Sequence, residues 1–578
     1  MRRLLFLFLF TLWFCRISVA QTFDKYKLYM SEADIKKIDA DRISDFFVEN
    51  VKTRDDLDQF MHNFYEKGFL LAAYQLDKFD SAIYRVTITL GEQFVWAELD
   101  QGNLPDDLFF KTGFKKNIFQ TQIFNFRKIT HLFRSVIRFS ENHGYPFARI
   151  KLTNIEIINN RIAASLDYEA GPYILFSGLA VNDGINLKSS FLEAYLTTRP
   201  GTPFDQRKIN RISHRINQLA FIRMTGEPLI KFANDSCRIY LKLEPVKANS
   251  FDGIIGFLPN ENEPNKLLVT GQLFLGLNNL FRSGKKLDLE WQKPNLLTQE
   301  LQIKYVHPAL FRIPLDLSMD FYLFKQDTSF INRNIHLSFY LNRLKFGNLG
   351  FDYAYSSSRL LSTDNLQTIP ELDLIDFDLN YYGFNYRLNT LDRIFFPTSG
   401  VLIEASLQMG TKNIIRNAGI DSDKYQDLQE STFQLKSTLL LEKYTTLAPK
   451  NILFTKVTAG YLNNDQMFFN DLFRLGGLRS LRGFNDKFFY ASWYLIGTVE
   501  YRYLFENDSQ LFLFVDGAGL GYEINDQSYR DHPFGFGGGF SISTRAGLLN
   551  IIYALGKSKN QPFGLNYSKI HIGYSSRF

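Results

Sequence analysis

The residues of this sequence best placed to do chemistry are charged ones set beside glycine and aromatic runs. Arg482 sits in Gly476-Gly477-Leu478-Arg479-Ser480-Leu481-Arg482-Gly483-Phe484, within a long Gly-rich stretch from 473 to 490. Downstream, Glu500 lies in TVEYRY and Asp516 in FVDGAG. On an extended chain Glu500 shares a face with Thr498 and Arg502, opposite Val499 and Tyr501. Asp516 opposes Val515 and Leu513 but has Phe512 and Phe514 on its own face. A guanidinium taken out of bulk water costs several kcal/mol unless paired, and its planar fork can donate two parallel bonds to a carboxylate. Such residues hold structure rather than turn over a substrate. Catalytic patterns are missing: the eight His are scattered, without an HExxH or any pair at metal-ligand spacing. There is no GxSxG elbow and no GxxxxGK phosphate loop. Gly537-Gly538-Gly539 reads as relief of crowding where a strand bends. The sequence therefore predicts neither an enzyme nor a metal or other cofactor.

The elements that carry these residues follow from composition and period. The 578 residues exceed one compact core, and 66 basic against 60 acidic residues leave a net charge of only +6, which gives no reason to expect nucleic acid as a partner. With 57 Phe and 30 Tyr the chain is aromatic-rich, yet past the N-terminus no run approaches the roughly 20 apolar residues of a membrane helix. Transmembrane strands reconcile the two, since only alternate residues meet lipid and aromatic girdles mark the interfaces. From about residue 267 the period is two. Leu287, Leu289 and Trp291 alternate with Lys286, Asp288, Glu290 and Gln292, and the pattern returns at 315–323, 335–341, 401–409 and 493–503. Lipid offers no hydrogen-bond partner, so such strands must close on themselves. About 310 residues at roughly 20 per strand and connection give about 16 antiparallel strands. A soluble β-sandwich is disfavoured because so many exposed apolar rows would aggregate in water.

The N-terminal half mixes helical and strand periods and repeats. Tyr65-Glu66-Lys67-Gly68-Phe69 and Glu141-Asn142-His143-Gly144-Tyr145 each end a helix-like run at a Gly, 76 residues apart. A further step of the same length reaches Ala220-Phe221, a diverged third copy. In the first two copies the Gly, able to take positive φ, stops the helix, and an antiparallel pair follows, with Asn159-Asn160 as the turn in the second. Ahead of the repeats, Arg2 and Arg3, the apolar run 4–14 and Ser18-Val19-Ala20 predict a signal peptide over 1–20. Cys15 would leave with it, and Cys237 would remain without a disulfide partner.

The repeats resemble POTRA domains, and GGLRSLRGF resembles the RGF-bearing sixth extracellular loop of the BamA/TamA outer-membrane assembly superfamily, which also includes two-partner secretion transporters. Phe251 to Phe257 (FDGIIGF), Asp392, Pro397 and Gly400 in LDRIFFPTSG, Glu500, Asp516 and Gly517 fall in family order. The resemblance covers essentially the whole mature chain, in layout closest to TamA. It implies POTRA-like repeats at 21–94, 95–171 and 172–248, then an outer-membrane barrel at 249–578, the arm lying in the periplasm. It implies that the loop folds into the lumen, with Leu481, Arg482, Gly483 and Phe484 pinning it against Glu500 or Asp516. It also implies a weak seam between a first strand at about 267–277 and a last at about 569–578, where Gly271, Gly276, Gly573 and the terminal Phe578 would lie. Ser576 departs from the family's apolar terminal pattern. The implied partners are unfolded outer-membrane or secreted clients, outer-membrane lipid, and periplasmic or inner-membrane accessory proteins. The implied function is assembly, insertion or translocation, with POTRA edge strands binding the client; export of one dedicated polypeptide, a passive channel, and a repeat arm serving only as spacer stay open as alternatives.

Overall fold

The computed structural model describes residues 25–38, 51, 53–80, 83–112, 119–120, 122–259, 267–293, 297–341, 347–363, 373–393, 395–506, 508–524, 527–544 and 547–578. The expected signal peptide, with Cys15, lies outside them. The chain divides into two compact units, Met1–Ile174 with Pro203–Gln206, and Leu175–Thr202 with Arg207–Phe578.

Three times the chain runs from a strand through helix to a β-hairpin whose second strand becomes the centre of a three-stranded sheet. The first sheet is Lys25–Met30, Ile83–Thr89 and Ala73–Asp80; the second is Val95–Asp100, Arg161–Glu169 and Arg149–Ile158; the third is Leu175–Val181, Ser236–Leu241 and Leu229–Ala233. In each, the opening strand runs parallel to the central one and the hairpin is antiparallel. Local chemistry explains the plan. Thr53 and Asp56 form a reciprocal capping box at the start of helix Arg54–Glu66. Asn125 caps helix Phe126–Glu141 through the Lys128 N–H. Both helices stop where Gly68 and Gly144 take φ of 89° and 99°. The freed Gly carbonyls accept from Phe94 and Ile174, each at 2.8 Å. In the third copy, where no Gly is present, Phe221 supplies that carbonyl to the Val246 N–H at 2.9 Å. Asn159-Asn160 and Asn234-Asp235 adopt positive φ at both positions, which fits tight hairpin turns.

The second unit contains a closed antiparallel barrel of sixteen strands, with Gln527–Asp531 and Phe534–Ser543 taken as one strand interrupted at His532-Pro533. Alternation sorts its faces: Leu495, Val499, Tyr501, Leu511, Leu513, Val515, Ile570 and Ile572 are exposed outward, while Glu500, Asp516, Asn385 and Gln434 are buried inward.

The structure corrects the seam. The first barrel strand is Ser250–Pro259, one earlier than expected, and residues 267–277 belong to the second strand, Leu267–Leu280. Gly271 and Gly276 accordingly lie between the first and third strands, opposite Ile255 and Lys293, and Ser250 and Asp288, respectively. Gly573 is on the last strand, Lys569–Arg577, but faces Asn550 of its neighbour. Among the described residues the first and last strands meet at two residue pairs, Ser250 with Arg577 and Phe251 with Ser576. The Phe578 N–H adds one bond to the Asn249 carbonyl at 3.0 Å.

Cys237 is fully buried in the central strand of the third sheet, and burial pushes its thiol up to about 11. Iodoacetamide at pH 8 should leave Cys237 of the folded protein unlabelled and modify it after denaturation. Labelling of the native protein would show that this sheet opens.

Candidate functional site: the lumenal loop

The stretch after strand Asn451–Asn464 folds back against the inner wall, with a short hairpin Phe473–Leu475 and Phe489–Ala491 at its neck. Glu500 and Asp516 come from adjacent barrel strands, Trp493–Glu506 and Ser509–Ile524, whose register sets Thr498 opposite Asp516. Between them lies the Arg482 guanidinium. Its Nε and Nη2 donate to the two oxygens of Asp516 at 2.8 and 2.7 Å, and Nη1 donates to Glu500 Oε2 at 2.6 Å. The Arg482 backbone N–H also reaches Asp516 at 3.1 Å, and Thr498 Oγ1 donates to the same carboxylate at 2.9 Å. Arg502 Nε donates to Glu500 Oε1 at 2.7 Å, so each of the two carboxylates is paired with a guanidinium. Phe514, which made the inward placement of Asp516 ambiguous in sequence, lies under the Arg482 guanidinium with its ring centroid 3.4 Å from Cζ. The side chains of Arg482, Glu500 and Asp516 are 11, 4 and 1% exposed, so deleting one partner would strand buried charge at a cost of about 3–5 kcal/mol.

Backbone approach completes the seat. Gly483 takes φ of 92°, and a β-carbon there would fall 2.7 Å from the Leu555 carbonyl. Its own carbonyl accepts from Gln561 Nε2 at 3.0 Å. Gly535, Gly537 and Gly539 face the same side of one strand. A β-carbon at Gly535 would strike the Arg482 carbonyl, and one at Gly537 or Gly539 would meet the Phe514 or Phe512 ring at 2.8 Å. The glycine run thus makes a flat track for the loop and two aromatic rings rather than serving a strand bend alone; alternation of Gly at 535, 537 and 539 was the available signal. Leu481 and Phe484 are fully buried in a cluster with Leu475, Phe489, Ala491, Ile496 and Leu520.

The sequence reading missed further ties. Arg479 pairs with Glu290 and Lys487 with Glu300, joining the loop to the third and fourth barrel strands. Lys487 also donates to Tyr322 Oη at 3.0 Å. Just before the hairpin, Lys412 Nζ meets Asp471 Oδ2 at 2.7 Å, both side chains essentially inaccessible. Glu290 was visible on the polar face of its strand, but nothing local marked its partner 189 residues away. Of the expected seam residues, Gly573 and Phe578 are on or beside the last strand, whereas Gly271 and Gly276 are not on either seam strand.

Residues 279–578 match the Omp85 superfamily domain. The chain belongs to the Omp85 superfamily. No curated protein matches it. Among solved structures, CdiB from Escherichia coli is similar over 95% of this chain and 100% of its own at 13% identity and a TM-score of 0.55. CdiB from Acinetobacter baumannii is similar over 83% and 89%, also at 13% identity, with a TM-score of 0.52. BamA from Haemophilus ducreyi lacking POTRA domains 1–3 gives 16% identity over 83% of this chain and 100% of its own, at a TM-score of 0.39. The two CdiB likenesses concern the fold alone. This Omp85 protein is an outer-membrane barrel preceded by POTRA-type α+β repeats in the periplasm, and no helix among the described residues is long and apolar enough to cross a membrane.

Releasing the loop should expose its basic residues. In cells expressing the wild-type Omp85 chain, external trypsin is expected to spare residues 473–490. Arg482→Ala and Gly483→Ala should be cut at Arg479 or Lys487 while the barrel keeps its heat-modifiable mobility on gels. Equal resistance in all three would show that Arg482 and Gly483 do not hold the loop.

Proposed function

We propose that this chain inserts outer-membrane proteins by lending a client the unpaired edges of its own barrel. The observation that carries this reading is the seam. Strand Ser250–Pro259 pairs with its other neighbour at ten positions but with the last strand at two. Edges of that kind are templates for an incoming strand. A client hairpin pairing there would satisfy backbone groups that lipid leaves unsatisfied, and its folding and burial would supply the driving force without nucleotide.

The arm has surfaces suited to earlier capture of unfolded clients. In the second repeat, Arg149–Ile158 is an edge strand on which Ile155, Ile157 and Ile158 are exposed. Extended apolar segments would add to such an edge through main-chain bonds. The Arg482 network gives the lumen a fixed inner wall while the seam parts. Outer-membrane lipid receives the product, and accessory proteins of the periplasm or inner membrane would bind the arm. No covalent step belongs to this scheme.

Phe251 and Ser576 face one another across the seam, and Cys237 is buried out of reach, so a cysteine pair can be placed there in the native background. Oxidising Phe251→Cys/Ser576→Cys should abolish insertion of β-barrel clients, and reduction should restore it. Continued insertion by the locked barrel would contradict the seam reading. Continued secretion of one large polypeptide through it, with client insertion unaffected by depletion of the protein, would favour dedicated export.

A further inference from the structure

The segment 391–400, LDRIFFPTSG, has no part in the lumenal network described above. Its described residues, 391–393 and 395–399, lie in the turn between barrel strands Asp376–Asn389 and Gly400–Ile415. Asp392 closes that turn on itself: its carboxylate accepts from the Thr398 N–H at 2.9 Å, the Thr398 hydroxyl at 2.6 Å and the Ser399 N–H at 3.2 Å. Thr446 on the neighbouring strand donates to the Thr398 carbonyl at 2.9 Å. Leu391 is buried against Tyr444, Ile452, Phe454 and Leu504. The third repeat grips the base. Gln218 Nε2 donates to the Leu391 carbonyl at 3.0 Å, and Asn389 Nδ2 donates to Gln218 Oε1 at 2.8 Å. So many fixed contacts make the turn a stiff projection rather than a loose connection.

Its tip touches a distant strand. The turn joins the eighth and ninth strands in barrel order, whereas Arg577 is on the sixteenth. The Arg577 guanidinium carbon nevertheless lies 4.2 Å from the Phe395 ring centroid, a cation–π contact. Arg577 is on the inward face of the last strand, out of phase with the lipid-exposed Ile570, Ile572 and Tyr574. It is also one of the two residues through which that strand pairs with the first.

We propose that Phe395 is a strut that steadies the closed seam from inside the barrel: the turn, anchored by Asp392 and the third repeat, presents the ring to Arg577 and holds the last strand where Ser250 can pair with it. Phe395 and Asp392 are positioning residues for seam opening, and this role rests on the reading of the seam as the point of client entry. The strut gives a role to one of the two adjacent phenylalanines of this turn; the other, Phe396, takes a positive φ of 50°. It also gives the third repeat a route to the seam, since the helix-end residue Gln218 and the strut share the same turn.

Exchange of the backbone amides in the peptide carrying residues 572–578 reports how often the seam opens, because exchange of a bonded amide follows the open fraction. With the full chain in lipid nanodiscs, Phe395→Ala should speed that exchange about two- to fivefold, the fold-change of a single exposed cation–π contact, while Phe395→Tyr leaves it at the wild-type rate. Should Phe395→Ala not fold, Arg577→Gln removes the same contact with the turn intact and is read in the same way. Exchange unchanged by loss of the ring or the guanidinium in a folded barrel overturns the strut. Client insertion that persists with the seam locked, whatever residue 395 is, overturns the seam reading instead.

Discussion

Inside a bilayer every backbone N–H and C=O must find its partner within the protein, because hydrocarbon offers none, and each orphan costs several kcal/mol. That constraint determines the layout of the second unit. Fifteen of the sixteen junctions between neighbouring strands obey it through long antiparallel ladders, among them the 14 pairs between Gly400–Ile415 and Ser431–Ala448. The junction between Ser250–Pro259 and Lys569–Arg577, with two pairs, does not. A barrel that is tightly zipped everywhere else concentrates its unsatisfied bonding capacity at one line. Such a line is energetically poor in lipid and well matched to an incoming strand.

The charged loop answers a second consequence of the same constraint. A closed wall encloses a polar lumen, and charged groups placed there need partners from the wall itself. Arg482 joins strands twelve and thirteen through Glu500 and Asp516, and Arg479 and Lys487 reach strands three and four through Glu290 and Glu300. The loop therefore ties together two parts of the wall. Because each fully buried carboxylate has a cation of its own, the network is costly to break at any single member and nearly neutral as a whole. The glycines at 483, 535, 537 and 539 allow the backbone approach on which those distances depend.

Much of this was legible in sequence because lipid and lumen impose a period of two. The rows at Leu287, Leu289 and Trp291, and at Val499 and Tyr501 against Glu500, sorted strand faces without reference to tertiary structure. Helix ends at Gly68 and Gly144, and the Asn159-Asn160 turn, were legible because positive φ restricts residue choice. The first barrel strand was not. In SFDGIIGFLP two isoleucines are adjacent and glycines interrupt the alternation, so counting began at the next strand and moved Gly271 and Gly276 onto the wrong line. The third repeat lacked its Gly signal for a similar reason: Phe221 supplies the equivalent carbonyl without one. Glu290, Glu300 and Phe395 were invisible as partners because closing a barrel brings together side chains whose separation in sequence carries no local mark.

The seam is the feature on which the functional reading stands, and the distance across it can be measured directly. Nitroxide labels at Phe251 and Ser576 span the weak junction, and labels at Leu407 and Ser437 span a fully paired one as an internal reference. Electron–electron resonance on the protein in lipid should give a broad or two-component distance distribution for the seam pair, extending beyond strand spacing, and a single narrow one for the reference. Two equally narrow distributions, unchanged by addition of an unfolded barrel client, would mean that the barrel closes as firmly there as elsewhere and would contradict insertion through a parting wall.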